Sequence, residues 1–446
     1  MNNFFFLIFF LLSSGISNGQ RFWLLTDEFP YGDKTGITGV KDSILFVCFS
    51  NGVMKSLNEG TNWQKVLSSG PVHSIYASET GNVIAGGEGK IYFSNDFALT
   101  WDSVSLDHSY PIIKIISDID GELFAITGLY TDEDGFIGAG VFHSFNNGHT
   151  WLARNTGLGN YLYIDQIAID KNNRLYITSR DEYVSGNAGL FYSDSKGSLW
   201  SHIKINIDGR NSIPDNVSVL KTTCLVVSPA DSLYISVNGT AVNVEVSLNL
   251  VKHISDVLSD SYWNVKTISN TYWWLNKTYN DLHFAKNGDY YSSLSGTLSI
   301  GGSLFSRDKG VSWYKHHQGL GVDVSGRFNT QKFYELSTGK VFMIKDLDER
   351  IYWADTSRVN AIRHRDFLSG DYQLFPNPAS NGKVKLILPS GKKANLIKIL
   401  DASGKIVLEN IISTTEIYID CPRIPGFYYV VIYDGIEDLI TSLIVW

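Results

Sequence analysis

The stretch Ser144-Phe145-Asn146-Asn147-Gly148-His149-Thr150-Trp151 reads as a tight turn between two strands. The short apolar run Val141-Phe-His-Ser144 leads into it. The Asn side chain can accept backbone N–H groups within the turn. Glycine supplies a positive φ. The tryptophan then opens the next strand and buries a large ring. The pattern S-x-[D/N/S]-x-G-x-[T/S]-W recurs four more times: Ser56, Asn58, Gly60 and Trp63; Ser94, Asp96, Ala98 and Trp101; Ser193, Ser195, Gly197 and Trp200; Ser306, Asp308, Gly310 and Trp313. Ala98 replaces the glycine in one copy and Ser195 the Asp or Asn in another, so those two turns are expected to be distorted.

The five tryptophans fall roughly 40–50 residues apart, except that the last interval fits two units of about 56 residues, and two further strands precede each turn; this is the spacing of propeller blades. Two units without a box, one from Thr222 through Val237 and one from Lys332 through Trp353, bring the expected count to seven. The boxes resemble the Asp box of sialidase-type, BNR-repeat β-propellers. The fold expected is therefore all-β: a seven-bladed β-propeller with Asp-box repeats plus a small C-terminal antiparallel β-sandwich. The last unit lacks an evident fourth strand. Arg21-Phe-Trp-Leu-Leu25 resembles the tryptophan-led outer strand of the other units and is expected to close the ring, because closure removes sheet edges.

Composition agrees. The 446 residues include 24 Phe, 24 Tyr, 11 Trp and 40 Gly but only 10 Pro, and charged residues make up 18%. Such a chain is neither disordered, collagen-like nor coiled-coil. A formal net charge of −8 argues against a nucleic-acid partner. Phe4–Leu12 is an unbroken apolar run, too short to span a bilayer but suited to a signal peptide, with Ser17 and Gly19 at the cleavage positions. No later segment is long and apolar enough to span a membrane once the leader is removed. Cys48, Cys224 and Cys421 show no metal-ligand spacing and form no disulfide framework; they read as buried free thiols.

Beyond about Tyr372 the boxes stop. Leu374-Phe-Pro376-Asn377-Pro378-Ala379 reads as a rigid turn, followed by six short strands with a hairpin turn at Asp401–Gly404. Together with Gly426-Phe-Tyr-Tyr-Val-Val431 and an apolar end, this segment resembles the type A sorting domain of the Bacteroidetes type IX secretion system. The resemblance implies a Gram-negative cell, Sec export to the periplasm, engagement of the type IX machinery, and release or attachment at the outer-membrane surface. The domain expectation is thus 1–19 signal peptide, 20–360 propeller, 361–371 linker and 372–446 sorting domain.

In a four-stranded blade the loops alternate between faces, so the box turns share a face with the turns joining strands one and two. The loops joining strands two and three, and the links between blades, lie on the other face, where insertions more often carry function. Ligand-binding candidates there are Tyr130, Asp132, Glu133 and Asp134; Arg180, Asp181 and Tyr183; Trp273 and Trp274; and Arg327. The acidic group is either a cation ligand set without full calcium-loop spacing or a solvated turn. The tryptophan pair either stacks on sugar rings or caps a blade edge. Sialidases use an arginine triad and carry an Arg-Ile-Pro element before the first box. Here the triplet occurs only at Arg423-Ile-Pro425, after all the boxes, and no triad can be named, which weighs against an enzyme. No catalytic residue, metal ligand or cofactor is nominated. The expectation is a secreted or surface propeller that binds an extracellular ligand, glycan or protein. A glycoside hydrolase or lyase and a scaffold or assembly factor remain as alternatives.

Overall fold

The computed structural model describes residues 23–26, 29, 33–131, 135–180, 188–205, 217–241, 244–266, 279–294, 302–310, 313–315, 320, 330–345, 350–354, 373–375, 382–387, 396–400, 406–411, 417–422, 424, 426–433 and 438–445. The expected signal peptide, residues 1–19, and linker, residues 361–371, lie outside them. One compact unit runs from Phe22 to Thr356; Ser357–Trp446 belongs to a second.

The first unit is a seven-bladed β-propeller of four-stranded antiparallel sheets. Blade 1 is built from Lys34–Val40, Ile44–Phe49, Gly52–Ser56 and Gln64–Leu67. Blade 2 uses Ser74–Ala77, Val83–Gly86, Lys90–Ser94 and Asp102–Ser105. Blade 3 uses Ile112–Ser117, Leu123–Thr127, Val141–Ser144 and Leu152–Ala153. Blade 4 uses Tyr163–Ile169, Leu175–Arg180, Ala188–Ser193 and Ser201–Ile203. Blade 5 uses Val217–Val227, Ser232–Ala241, Val244–His253 and Asn264–Lys266. Blade 6 uses Tyr279–Phe284, Tyr290–Leu294, Gly302–Ser306 and Tyr314–Lys315. Blade 7 takes Thr330–Glu335, Val341–Lys345 and Ile351–Ala354 from one end of the unit and Trp23–Leu25 from the other.

Each blade is covered on both faces by its neighbours, so its middle strands are buried at successive residues rather than at alternate ones. Leu123–Thr127 and Val341–Lys345 are buried at every residue. The cores are correspondingly inter-blade: Leu45, Val47 and Met54 of blade 1 pack with Phe342, Ile344 and Ile351 of blade 7.

The five box turns share one construction. In blade 3 the Ser144 hydroxyl accepts the Gly148 N–H (3.0 Å) and donates to Asn146 Oδ1 (3.0 Å), which accepts the Thr150 N–H (2.9 Å). Two consecutive residues are left-handed, as at Asn147 (φ 56°) and Gly148 (φ 87°). A Cβ on Gly148 would meet Ile84 Cδ1 at 2.9 Å. The two substituted boxes are not distorted. Ala98 holds φ 64° and donates its N–H to Ser94 Oγ at 2.9 Å. Its left-handed backbone costs roughly 1–2 kcal/mol, offset by the hydrogen bonds of the turn and by burial. Ser195 Oγ accepts the Leu199 N–H at 3.0 Å, taking over the Asp or Asn role.

The strand register uncovers two more members of the set. Phe93 pairs with Asp102, which sets Trp101 opposite Ser94, and the other boxes follow the same rule. In blade 7, Trp23 pairs with Ala354 and so occupies the box-tryptophan position from the far end of the unit. Blade 5 has its own box tryptophan, Trp263, buried at 2% exposure. Opposite it, where the other boxes have serine, stands Lys252: Leu233 pairs with Lys252 as Leu175 pairs with Ser193. The polarity of the turn is inverted. A serine hydroxyl accepts turn N–H groups, whereas Lys252 Nζ donates to the carbonyls of Ser259 (2.9 Å) and Ser261 (2.7 Å) and lies 5.6 Å from the centre of the Trp263 ring. Burial pushes the Lys252 pKa down. Trp263 also divides the long Trp200–Trp313 interval unevenly, because the blade 5 hairpin is much longer than the others.

The second unit holds two antiparallel sheets, ordered Gln373–Phe375, Lys383–Ile387, Ile417–Asp420 and Ile406–Ile411, Leu396–Leu400, Gly426–Tyr433, Asp438–Val445. Alternation at Ile417–Asp420 (buried, exposed, buried, exposed) gives each strand one core face, and Val384, Leu386, Ile397, Ile399, Tyr428 and Val430 are buried. The strand Gln373–Phe375 corrects the sequence reading, which took the start of this segment at Leu374 for a turn. Pro376, Asn377, Pro378 and Gly404 lie outside the described residues, and Gly426 begins a strand.

Trp23 is fully buried, stacked on Phe333 (6.0 Å between ring centroids) and edge-on to Tyr291 (6.2 Å). Trp23→Ala removes this packing at the seam of the ring. It is expected to cost about 3–5 kcal/mol, read as a lower urea midpoint for the whole propeller; an unchanged midpoint would show that the seam contributes nothing.

Candidate functional site

The inner strands run down the channel, and five of them, in blades 1, 3, 4, 6 and 7, break register near their start; blade 5 breaks a few residues in. A bulge leaves one residue unpaired and bends the strand. Polar groups at or beside these bulges, with Ser74 in the unbulged blade 2, tie each blade to the next around the channel. Thr35 Oγ1 of blade 1 donates to the Val72 carbonyl in the link that enters blade 2. Ser74 Oγ of blade 2 donates to Ile112 O at 2.6 Å. Lys114 Nζ of blade 3 donates to Gln166 Oε1 at 3.2 Å, and Gln166 Nε2 of blade 4 donates to Thr223 O at 3.4 Å. Thr223 Oγ1 of blade 5 donates to Tyr279 O at 2.6 Å. Asp281 Oδ2 of blade 6 accepts the Phe333 N–H at 2.8 Å. Lys332 Nζ of blade 7 returns to Thr35 O at 2.7 Å. The circuit passes through every blade interface.

Lys114, Gln166, Thr223, Asp281 and Lys332 stay partly exposed to the channel. Lys114 lies in the field of Asp281, which attracts its charge, and of Lys332, which opposes it; burial dominates and lowers its pKa. Burial pushes the Cys48 thiol up to about 11 and the Cys224 thiol higher still, so both stay protonated small apolar groups. All three cysteines are free and buried.

Inner strands start on the face that carries the inter-blade links, so the charged circuit sits toward that end of the channel. Two hairpins rise on the same face. Blade 3 adds a two-stranded ribbon, Leu129–Thr131 with Gly135–Ile137. Blade 5 pairs its second and third strands all the way from Ser232↔His253 to Ala241↔Val244. Blade 2 pairs these strands over Val83–Gly86 only. The extra length projects on the order of 20 Å at about 3.3 Å per residue.

Of the sequence candidates, Tyr130 lies in the blade 3 ribbon opposite Phe136, and Arg180 ends the second strand of blade 4 opposite Ala188. Asp132, Glu133, Asp134, Asp181, Tyr183, Trp273, Trp274 and Arg327 lie outside the described residues. The channel residues were missed. Their signal was present: one polar residue, Lys114, Gln166, Asp281 or Lys332, at a matching position in otherwise apolar inner strands. The blade 5 hairpin was missed as well. Among the described residues no His/Cys/Asp/Glu group is placed to hold a metal ion.

The opposite face is tied by charge. Lys196, in the blade 4 box, reaches Asp118 (3.1 Å), Asp120 (2.9 Å) and Glu122 (3.0 Å) of blade 3. Glu122 also meets His143 at 2.8 Å. Burial pushes Glu122 up, but its hydrogen bonds from Lys196 and His143 prevail and hold its carboxyl below the usual range. Lys340 of blade 7 pairs with Glu59 of the blade 1 box at 2.8 Å. Asp96 is held far below the ordinary carboxylate range by the Thr100 hydroxyl and N–H and by Ser94. This face also exposes single apolar tips, Leu57, Leu99, Phe145 and Leu199.

Residues 373–446 match the family described as the secretion system C-terminal sorting domain. The chain ends in a sorting domain. Such a tail implies a secreted or outer-membrane surface protein that engages the type IX machinery. No match is found among the curated proteins. Among solved structures, the chain is similar to PorZ of Porphyromonas gingivalis, an essential bacterial surface component of the type IX secretion system (TM-score 0.53, 14% identity, 93% of this chain and 59% of that one). It is also similar to the extracellular domain of the putative hybrid two-component system BT3049 of B. thetaiotaomicron (TM-score 0.56, 11% identity, 96% and 58%). A third is YCF48 bound to a D1 peptide (TM-score 0.51, 14% identity, 75% and 96%). The chain thus spans under two thirds of the first two. These likenesses show the fold. Among the described residues no helix is long and apolar enough to cross a membrane.

Thr223→Val keeps the shape of the side chain and deletes the bond to Tyr279 O. It is expected to cost about 1–2 kcal/mol, measured by urea unfolding; a neutral result would show that the circuit does not hold the blades. Acid should loosen the opposite face. Asp96 and Glu122 have folded pKa values below their unfolded ones, so their contribution is complete above about pH 4.5 and is lost as pH falls through the carboxylate range below about 4. The melting temperature should drop in that window. A Lys196→Met variant should show a smaller acid-induced drop, and an equal drop would remove Glu122 from the account.

Proposed function

We propose that the chain is an exported binding protein: an Asp-box propeller of the sialidase kind, delivered by its sorting domain, that offers the inter-blade-link face to a glycan or protein outside the cell. The domain scheme that goes with this is a leader at 1–19, a propeller at 20–360, a linker at 361–371 and a sorting domain at 372–446. The observation that carries the reading is the sorting domain at residues 373–446. The difference between the two faces supports it. One face is spent on box turns and ion pairs, while the other carries the extended hairpins of blades 3 and 5 beside a polar channel mouth. Tyr130, Asp132, Glu133, Asp134, Arg180, Asp181, Tyr183, Trp273, Trp274 and Arg327 are the contacts proposed on that face.

Binding without chemistry fits the channel carboxylate best. Asp281 accepts backbone N–H groups on both oxygens, from Leu282 (3.0 Å) and Phe333 (2.8 Å), which engages it as a structural acceptor between blades 6 and 7. A scaffold or assembly role is the second reading, favoured by the fold shared with PorZ across 93% of this chain.

Two measurements test the proposal. In a type IX-competent cell the full chain should reach the surface or the medium, and a chain ending at residue 372 should stay in the periplasm; equal export of both would contradict the delivery route. On glycan and peptide arrays, replacing Leu129–Ile137 with a short glycine turn should reduce binding at least tenfold without changing the melting temperature. Turnover of any arrayed glycan would instead favour the hydrolase or lyase reading.

A further inference from the structure

Two ammonium groups on the inner strands donate, among the described residues, to neutral acceptors alone. Lys114 and Lys332 occupy the same register position on the inner strands of blades 3 and 7, each opposite an isoleucine of its second strand, Ile126 and Ile344. Blades 3 and 7 face each other across the seven-membered ring. Both side chains are partly exposed to the channel. An ammonium has three N–H donors. Lys114 spends one on the neutral Gln166 Oε1 (3.2 Å), and Lys332 spends one on the neutral Thr35 carbonyl (2.7 Å). Neither has a carboxylate within 4.0 Å among the described residues, although such pairs are frequent elsewhere in this propeller.

Asp281, at the equivalent position of blade 6, stands within electrostatic reach of Lys114. Its oxygens are already occupied by the Leu282 and Phe333 N–H groups. Among these three groups one positive charge is in excess, in surroundings where an uncompensated charge is costly. A monoanion balances the group, whereas a phosphate dianion overshoots it. Donors on two sides favour an acceptor with two oxygens over a spherical ion.

We propose that the channel binds one small carboxylate between Lys114 and Lys332. The inference deepens the binding reading above: a ligand anchored there presents a carboxylate at the channel mouth. The two fail separately, because acetate tests the anchor alone, whereas the arrays test the face.

The experiment titrates sodium acetate into the purified full-length protein by calorimetry, with sodium chloride as a parallel arm at equal ionic strength. Acetate should bind saturably at one site, more tightly than chloride, and raise the melting temperature. Lys114→Gln keeps a donor toward Gln166 but removes the charge, and should weaken acetate at least tenfold. Gln166→Glu sets a carboxylate of the chain's own beside Lys114, and should abolish acetate binding. Lys309→Gln, on the opposite face, should change nothing. Absence of saturable acetate binding in the unmodified protein would overturn the proposal, as would chloride binding more tightly than acetate. So would acetate affinity unchanged in Gln166→Glu, which tests the site even if Lys114→Gln fails to fold.

Discussion

Seven inner strands can stand around a common axis only if each is held to the next, and here the holding is done by polar side chains of those strands, all but Ser74 at or beside a bulge. Thr35, Ser74, Lys114, Gln166, Thr223, Asp281 and Lys332 pass hydrogen bonds from blade to blade until Lys332 returns to Thr35. Apolar packing between blades supplies the larger energy, but it is not directional. The circuit fixes angle and register, and it requires every blade. The last blade lacks an outer strand of its own, and Trp23–Leu25 fills that edge. The same pairing that covers an exposed edge also places Trp23 between Phe333 and Tyr291, so edge protection and core packing are one event.

The two faces follow from the direction of the chain. Box turns and the turns between first and second strands share one face, and there charged and amide side chains bridge neighbouring blades. Lys196 spans blades 4 and 3, and Lys340 spans blades 7 and 1. A long insertion on that face would have to displace these bridges. The other face is where the ribbon of blade 3 and the long hairpin of blade 5 rise. The charged circuit lies at the same end of the channel, so variable loops and fixed cations meet at one mouth.

The boxed blades were legible in the sequence because their turn needs particular atoms: a serine hydroxyl as acceptor, a second side-chain oxygen two residues on, and a tryptophan in register. Blade 5 hid its box because Lys252 solves the same problem with opposite polarity, donating to carbonyls over a longer turn. Ala98 and Ser195 look disruptive in sequence, yet a left-handed alanine held by Ser94 and a serine oxygen in place of a carboxylate both preserve the geometry. The channel circuit was the least legible part. A lone lysine or glutamine in an apolar strand carries no motif, and its meaning comes from a bulge and from a neighbouring blade far away in sequence. Loop composition drew the eye to Tyr130 and Arg180, whereas the structure adds Lys114, Asp281 and Lys332 beneath them.

The central claim is that the propeller is one closed ring, joined where Trp23–Leu25 meets Ile351–Ala354. Hydrogen exchange followed by mass spectrometry tests it directly. The Leu24 and Thr26 amides, which point into the ladder, are expected to exchange as slowly as those of Val341–Lys345 and to be released with them on a single opening event. Exchange of that segment within seconds, while Val341–Lys345 stays protected, would contradict it.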